Sequence, residues 1–230
     1  SDMAIGTAKI LGFDLKQNFN LPYFSKSIAD FWKRWHISLS SWFSDYLYKP
    51  LGGNRVKYHR WLFNILLVFS VSGFWHGASW TFIVWGLLHA IYYFLENWGD
   101  AFLKLLNQSK IKTVYFYKVF KTVLVFILVC YAWVFFRASN ITEAFSISHK
   151  LFFDWEGPFY IGASSVSFIL CLMLIVLLFF VQILQSKEIA SLYFSSSKVH
   201  PILQLLWYVS LLLAISMLGI NSNSFIYFQF

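Results

Sequence analysis

The chain has 230 residues, 59% of them hydrophobic and only 12% charged, with a mean hydropathy of +0.61. That balance excludes an ordinary soluble domain, because a core of this size cannot hide so much apolar surface. The net charge of +8 does not indicate nucleic-acid binding, which requires a contiguous basic surface with polar readers that this sequence lacks.

In chain order, Met3 to Leu11 reads as a partial membrane span with no signal-peptide pattern around it, so the chain reads as a piece that begins inside a helix. Between Ser27 and Tyr48 the apolar residues Ile28, Phe31, Trp32, Trp35, Leu39, Trp42, Phe43 and Tyr46 recur at helical spacing, while Asp30, Lys33, Arg34, Ser41 and Asp45 take other faces. This predicts one amphipathic helix, suited to the membrane interface or to a re-entrant position. Pro50, Gly52 and Gly53 are expected to stop it. From Trp61 to Leu95 there is no Asp, Glu, Lys or Arg, and at about 20 residues per crossing that stretch predicts two spans. Further spans are expected near Thr113 to Phe136, with Lys118 and Lys121 snorkelling at one end, near Ser164 to Leu184, and near Ile202 to Ile220. The expected fold is therefore all-α, a polytopic transmembrane helical bundle forming a single membrane domain over residues 1–230.

Charge placement orients the bundle. Lys33, Arg34, Lys49, Arg55, Lys57 and Arg60 precede the long uncharged stretch, whereas the segment after Phe136 carries Arg137 and Lys150 against Glu143, Asp154 and Glu156. Positive-inside asymmetry then places 25–60, 96–112 and the region of Lys187 and Lys198 on the cytoplasmic side, and 137–160 outside.

Within spans, ionisable side chains are costly without partners, so they mark candidate chemistry. His76 lies roughly 24 Å along a helix from the anchor Arg60 at about 1.5 Å per residue. Its setting, Gly73-Phe74-Trp75-His76-Gly77, fits either a small-xxx-small packing motif with a structural histidine or a base that substrate can approach between glycines. His36 falls on the apolar side of the amphipathic helix and reads as a cavity-lining or hydrogen-bonded residue. His89, among Leu88, Ala90 and Tyr92, reads as structural. Cys130 and Cys171 read as inert packing residues. No histidine pair has i, i+4 spacing and no carboxylate or cysteine clusters with one, so no metal site is expected. A G-x-S-x-G nucleophile elbow is also absent. What remains is a general base: a buried neutral imidazole taking a proton from a hydroxyl as it attacks an activated carbonyl.

Residues Phe31 to Arg55, FWKRWHISLSSWFSDYLYKPLGGNR, and Ser72 to Trp80, SGFWHGASW, resemble the membrane-bound O-acyltransferase family, and within it the alginate O-acetylation branch. The opening SDMAIG and the closing FIYFQF resemble that branch too, so the chain corresponds to the C-terminal half of such a protein. The resemblance implies a many-helix inner-membrane enzyme that moves an acyl group from a cytoplasmic thioester to a hydroxyl. It makes His76, beside Trp75, the signature histidine and His36 the histidine of the RWHIS motif, and it sets Asp45, Asn54 and Arg55 at a donor entrance. It further implies acetyl-CoA as donor substrate with no bound cofactor, a polysaccharide acceptor, surrounding lipid, and a secreted or membrane-anchored acetyltransferase partner that passes the acetyl group on. The rival readings are D-alanyl transfer to teichoic acid from a carrier-protein thioester, and a non-enzymatic transporter or channel.

Overall fold

A computed structural model describes residues 1–105, 115–154, 165–186 and 201–218. These fall into two compact units, 1–156 and 157–230. All regular structure among the described residues is helical. The expected interior loop segment around Lys112, the outer residues Glu156 and Pro158, Lys187, Lys198, His200 and the closing FIYFQF lie outside the described residues.

In the first unit, α1 spans Asp2–Ile10. A turn at Pro22–Phe24 leads to α2, Ile28–Arg34, and α3, Ile37–Phe43, which runs into a π-helical turn at Ser44–Tyr48. Two long helices follow, α4 at Tyr58–Trp75 and α5 at Trp80–Leu105, then α6 at Tyr115–Arg137 and α7 at Ile141–Phe153. The predicted pair of helices within Trp61 to Leu95 is present, joined by the short turn 76–79. Their close approach has a simple cause. A Cβ on Gly73 would stand 2.2 Å from the Phe82 carbonyl oxygen, and one on Gly86 would stand 2.2 Å from that of Phe69. Only glycine permits this contact at either position. The small-xxx-small expectation therefore holds for Gly73 but not for Gly77, which has φ 152° and serves the turn; the second packing glycine is Gly86.

The single amphipathic helix expected over Ser27 to Tyr48 is instead broken at its centre. Trp35 is extended and His36 is left-handed, with φ 45° and ψ 56°. An upstream strap replaces the lost helical hydrogen bonds. The Asn20 amide donates to the Arg34 carbonyl at 2.9 Å, the Ile37 amide donates to the Asn18 carbonyl at 2.9 Å, and the Ser38 amide donates to Asn18 Oδ1 at 2.9 Å. Asn18 thus caps α3 from outside the helix, and helical periodicity on both sides of the break conceals it in the sequence. Ser27 caps α2 by accepting from the Asp30 amide at 2.8 Å.

The core is built from α2, α5 and α6, with Ile28, Phe31, Trp85, Tyr92, Val125, Val129, Ala132 and Phe135 buried together and Ala144 of α7 joining them. Glu96 ties three elements: Oε2 accepts from the Ile28 amide at 2.8 Å and Oε1 accepts from Lys121 Nζ at 2.7 Å. Lys121, expected to snorkel, has its ammonium held by the Glu96 carboxylate. Asn64 in α4, fully buried, donates to the carbonyls of Leu51 and Gly53 at 3.1 and 3.2 Å and so docks the returning chain. From Ile28 to Gly53, then, the chain starts beside Glu96, turns at His36 and returns to α4 as a hairpin. At the other end of α6, Asn140 caps α7 and Glu143 reaches back to Ser139, whose amide and hydroxyl donate to it and hold its carboxyl below the usual range.

α6 is long and apolar enough to cross a membrane, the one helix of which this holds among the described residues, with Phe168–Leu184 a shorter apolar run. Its 23 residues extend about 34 Å at 1.5 Å each. One face is packed, while Phe116, Phe120, Val123 and Ile127 stand exposed, the reverse of a soluble core helix. Cys130 and Cys171 lie on exposed helix faces rather than in packed cores. The second unit contributes α8, Ser165–Ser186, and α9, Pro201–Leu218.

Candidate active site

His76 is not inside a helix. It is the residue that ends α4, its amide bonded to the Gly73 carbonyl at 3.0 Å, and Gly77 turns the chain immediately after it. The imidazole is half-buried in a box of rings, with centroids 4.9 Å from Trp75, 5.2 Å from Trp85, 4.9 Å from Phe136 and 6.2 Å from Phe82. Trp85 and Phe136 meet it nearly edge-on. Phe136 arrives from the end of α6, so the box closes only because α4, α5 and α6 pack together.

His36 stands at the tip of the Ile28 to Gly53 hairpin and meets this box through Trp75, at 6.1 Å and 89°. Both imidazoles contact the Trp75 ring edge-on. His36 Nδ1 is buried without a protein partner, and burial lowers the imidazole from its ordinary value, with a backbone hydrogen bond partly offsetting this. A left-handed histidine costs about 1–3 kcal/mol unless its surroundings impose it. Here the Asn18 and Asn20 strap imposes it, and the strain aims the ring at the end of α4. Trp75 itself remains 51% exposed.

The remaining three predicted site residues gather elsewhere. Asp45 lines a cavity of about 440 Å³ with Trp32, Lys33, Ser40, Ser41, Ser44 and Lys49. Asn54 and Arg55 line a neighbouring cavity of about 380 Å³ with Ser44, Tyr48, Lys49, Gly52 and Gly53. The two share Ser44 and Lys49, so Lys33, Lys49 and Arg55 surround one cleft. Asp45 pairs with Lys49 at 2.5 Å, both largely exposed, a contact worth little in water. Lys33 and Lys49 entered the sequence reading only through charge placement and Ser41 only as part of a polar face; Ser40 and Ser44, which line the same cavity, carried no signal of their own.

His89, read as structural, lies in the core beside this site. It is completely buried between the parallel rings of Phe31 and Phe69, at 5.9 and 6.2 Å, with Trp32 edge-on at 5.0 Å. Neither of its nitrogens has a protein partner, nor has Nε1 of Trp32 or Trp85 or the Tyr92 hydroxyl. A buried polar group left unsatisfied costs about 1–3 kcal/mol, so five such atoms in one region are an expensive arrangement.

The described residues thus form helices only, one of them apolar enough to cross a membrane, and bring His36 and His76 to the same tryptophan, Trp75. The comparisons make the class specific. Residues 1–145 match the family model described as MBOAT, membrane-bound O-acyltransferase family, and the chain belongs to that family, whose proteins are membrane-bound. It is 43% identical over 157 residues to the probable alginate O-acetylase AlgI of Azotobacter vinelandii, covering 67% of this chain and 30% of that protein. It is 44% identical over 147 residues to the peptidoglycan O-acetyltransferase of Helicobacter pylori, covering 64% and 27%. The teichoic acid D-alanyltransferase of Bacillus subtilis is 38% identical over 111 residues, covering 43% and 28%. The chain spans about 30% of the length of the curated relatives it matches.

Proposed function

We propose that this chain carries the catalytic histidine of a polytopic inner-membrane O-acyltransferase. The enzyme moves an acyl group, acetyl in the favoured reading, from a cytoplasmic thioester to a hydroxyl of a cell-envelope polysaccharide, directly or through a partner acetyltransferase. The observation that carries the proposal is the meeting of His36 and His76 at the tips of two hairpins, with Trp75 between them. His76 is only partly buried and is ringed by aromatic side chains, a setting in which a neutral imidazole takes a proton from an incoming hydroxyl in a site that excludes most water. As the hydroxyl oxygen attacks the thioester carbonyl, the carbon–sulfur bond breaks and the thiolate departs. His36 lines the same space and positions the donor or the acceptor oxygen.

The cleft around Lys33, Lys49 and Arg55 supports a donor carrying phosphates, since its cations attract anionic groups before any contact is made. Acetyl-CoA fits that charge, and the relatives named for O-acetylation match a longer share of this chain than the one named for D-alanylation. The carrier-protein thioester of D-alanyl transfer stands as the second reading, on the strength of that third relative. Membranes containing the intact protein, supplied with labelled acetyl-CoA, are expected to transfer label to a polysaccharide fraction. Transfer of labelled D-alanine from a carrier protein, with no transfer from acetyl-CoA, would replace this reading by the second.

A further inference from the structure

His76 accounts for only one of the buried polar groups around it. Trp85, His89 and Tyr92 stand at i, i+4 and i+7 of α5, and Glu96 follows four residues on, so the four make one stripe down the helix. The stripe begins at His76, 5.2 Å from Trp85, continues to His89 at 5.1 Å, and reaches Tyr92 at 5.9 Å. It ends in a cavity of about 490 Å³, where Tyr92, Glu96, Asp100 and Lys121 stand among apolar side chains. Along the whole run, the polar atoms of Trp85, His89 and Tyr92 are buried without protein partners. Phenylalanine would fill the slot between Phe31 and Phe69 with no polar group to satisfy, whereas a neutral imidazole brings one donor and one acceptor. Water is the ligand small enough to serve such groups, and it is held where there are several polar partners and room for it, as the cavity at the Tyr92 and Glu96 end provides.

We propose that this stripe is a proton exit: a file of buried water, threaded through His89, that carries the proton gained by His76 to the cavity at Glu96 and Lys121. The proposal rests on His76 being the base. The acceptor O–H bond breaks and its proton goes to His76; the new O–C bond forms as the C–S bond breaks and sulfur keeps the electron pair. The imidazolium then gives its proton to the first water of the file. His89 receives a proton on one nitrogen and releases one from the other, and the Tyr92 hydroxyl both accepts and donates. Trp85 can only donate, so it anchors water without passing charge. The proton leaves beside Glu96 and is regained by the departed thiolate in the aqueous phase, so the cycle is balanced.

The test uses the intact protein with His89→Phe, which keeps ring volume and removes both nitrogens. Rapid-quench transfer from labelled acetyl-CoA should show a first turnover like wild type and later turnovers slowed by roughly 10²-fold, the low end of what a positioned proton-transfer group contributes. Hydroxyl-radical footprinting of the wild type supplies the second readout. Trp85 and Tyr92, 0% and 7% exposed, should be oxidised by radicals born in adjacent water, while Phe135 at 2% stays unmodified. Steady turnover unchanged in the variant, or Trp85 and Tyr92 as unreactive as Phe135, would overturn the proposal; the footprint decides even where the variant fails to insert. If His76→Ala abolishes transfer while His89→Phe turns over normally, this inference alone fails. Full transfer by His76→Ala would instead remove the reading on which it rests.

Discussion

Gly73→Ala is the sharpest probe of how the fold positions His76. The added methyl would stand 2.2 Å from the Phe82 carbonyl oxygen and 2.9 Å from its carbonyl carbon, and both are backbone atoms that no rotamer change can move away. Relieving the contact requires α4 and α5 to part by about 1 Å, and overpacking of this kind costs about 1–3 kcal/mol. Gly73 lies three residues before His76, so the shift is delivered to the imidazole with little lever arm to dilute it. A displacement near 1 Å at a reacting group lowers rate by about 10²-fold. The assay is acyl transfer by the intact protein in membranes, normalised to the inserted amount, alongside its thermal melt in detergent. Gly99→Ala is the control: it lies in the same hairpin with nothing within 4 Å of an added Cβ, and it should be neutral or stabilising by up to about 1 kcal/mol. Full activity in Gly73→Ala, or equal effects of the two substitutions, would refute the argument that helix contact sets the histidine's position.

Other outcomes follow from particular contacts. Asn64→Asp removes the two hydrogen bonds donated to Leu51 and Gly53 and leaves buried carbonyls facing a carboxyl group; a loss of at least about 1–3 kcal/mol is expected in detergent unfolding. Glu96→Gln leaves Lys121 buried without its counter-charge and should cost about 3 kcal/mol, with Lys121→Met in the same molecule recovering most of it; equal stability of the single and double variants would show that the pair does not matter. Because burial lowers the pKa of His36, the unfolded chain takes up a proton first as pH falls. The stability contributed by neutral His36 is complete above about pH 6.5 and is lost progressively below it. Melts at pH 7.5 and 5.5 should therefore converge in His36→Asn relative to wild type.

The all-helical character and the division of Trp61 to Leu95 were legible because apolar run length and missing charge report them directly. The pairing of His36 with His76 was not. In the sequence they stand forty residues apart, one on an apparently continuous amphipathic helix, and only the Asn18 and Asn20 strap breaks that helix and turns His36 toward Trp75. Periodicity reports which face is apolar, and a single left-handed residue does not interrupt it. Gly86 escaped notice for a related reason: nothing local distinguishes a glycine that touches another helix from one that touches nothing, as Gly99 shows. For His89 the neighbours on α5 told only of an apolar face; the rings that enclose it, Phe31, Trp32 and Phe69, come from α2 and α4 and could not be read from local sequence.

The central claim is that His76 removes the acceptor's proton while a thioester gives up its acyl group. Its most direct measurement is labelled acetyl transfer by membranes carrying equal amounts of correctly inserted wild-type protein or His76→Ala. Transfer should fall to background in the variant with donor binding retained; transfer at the wild-type rate would contradict the account.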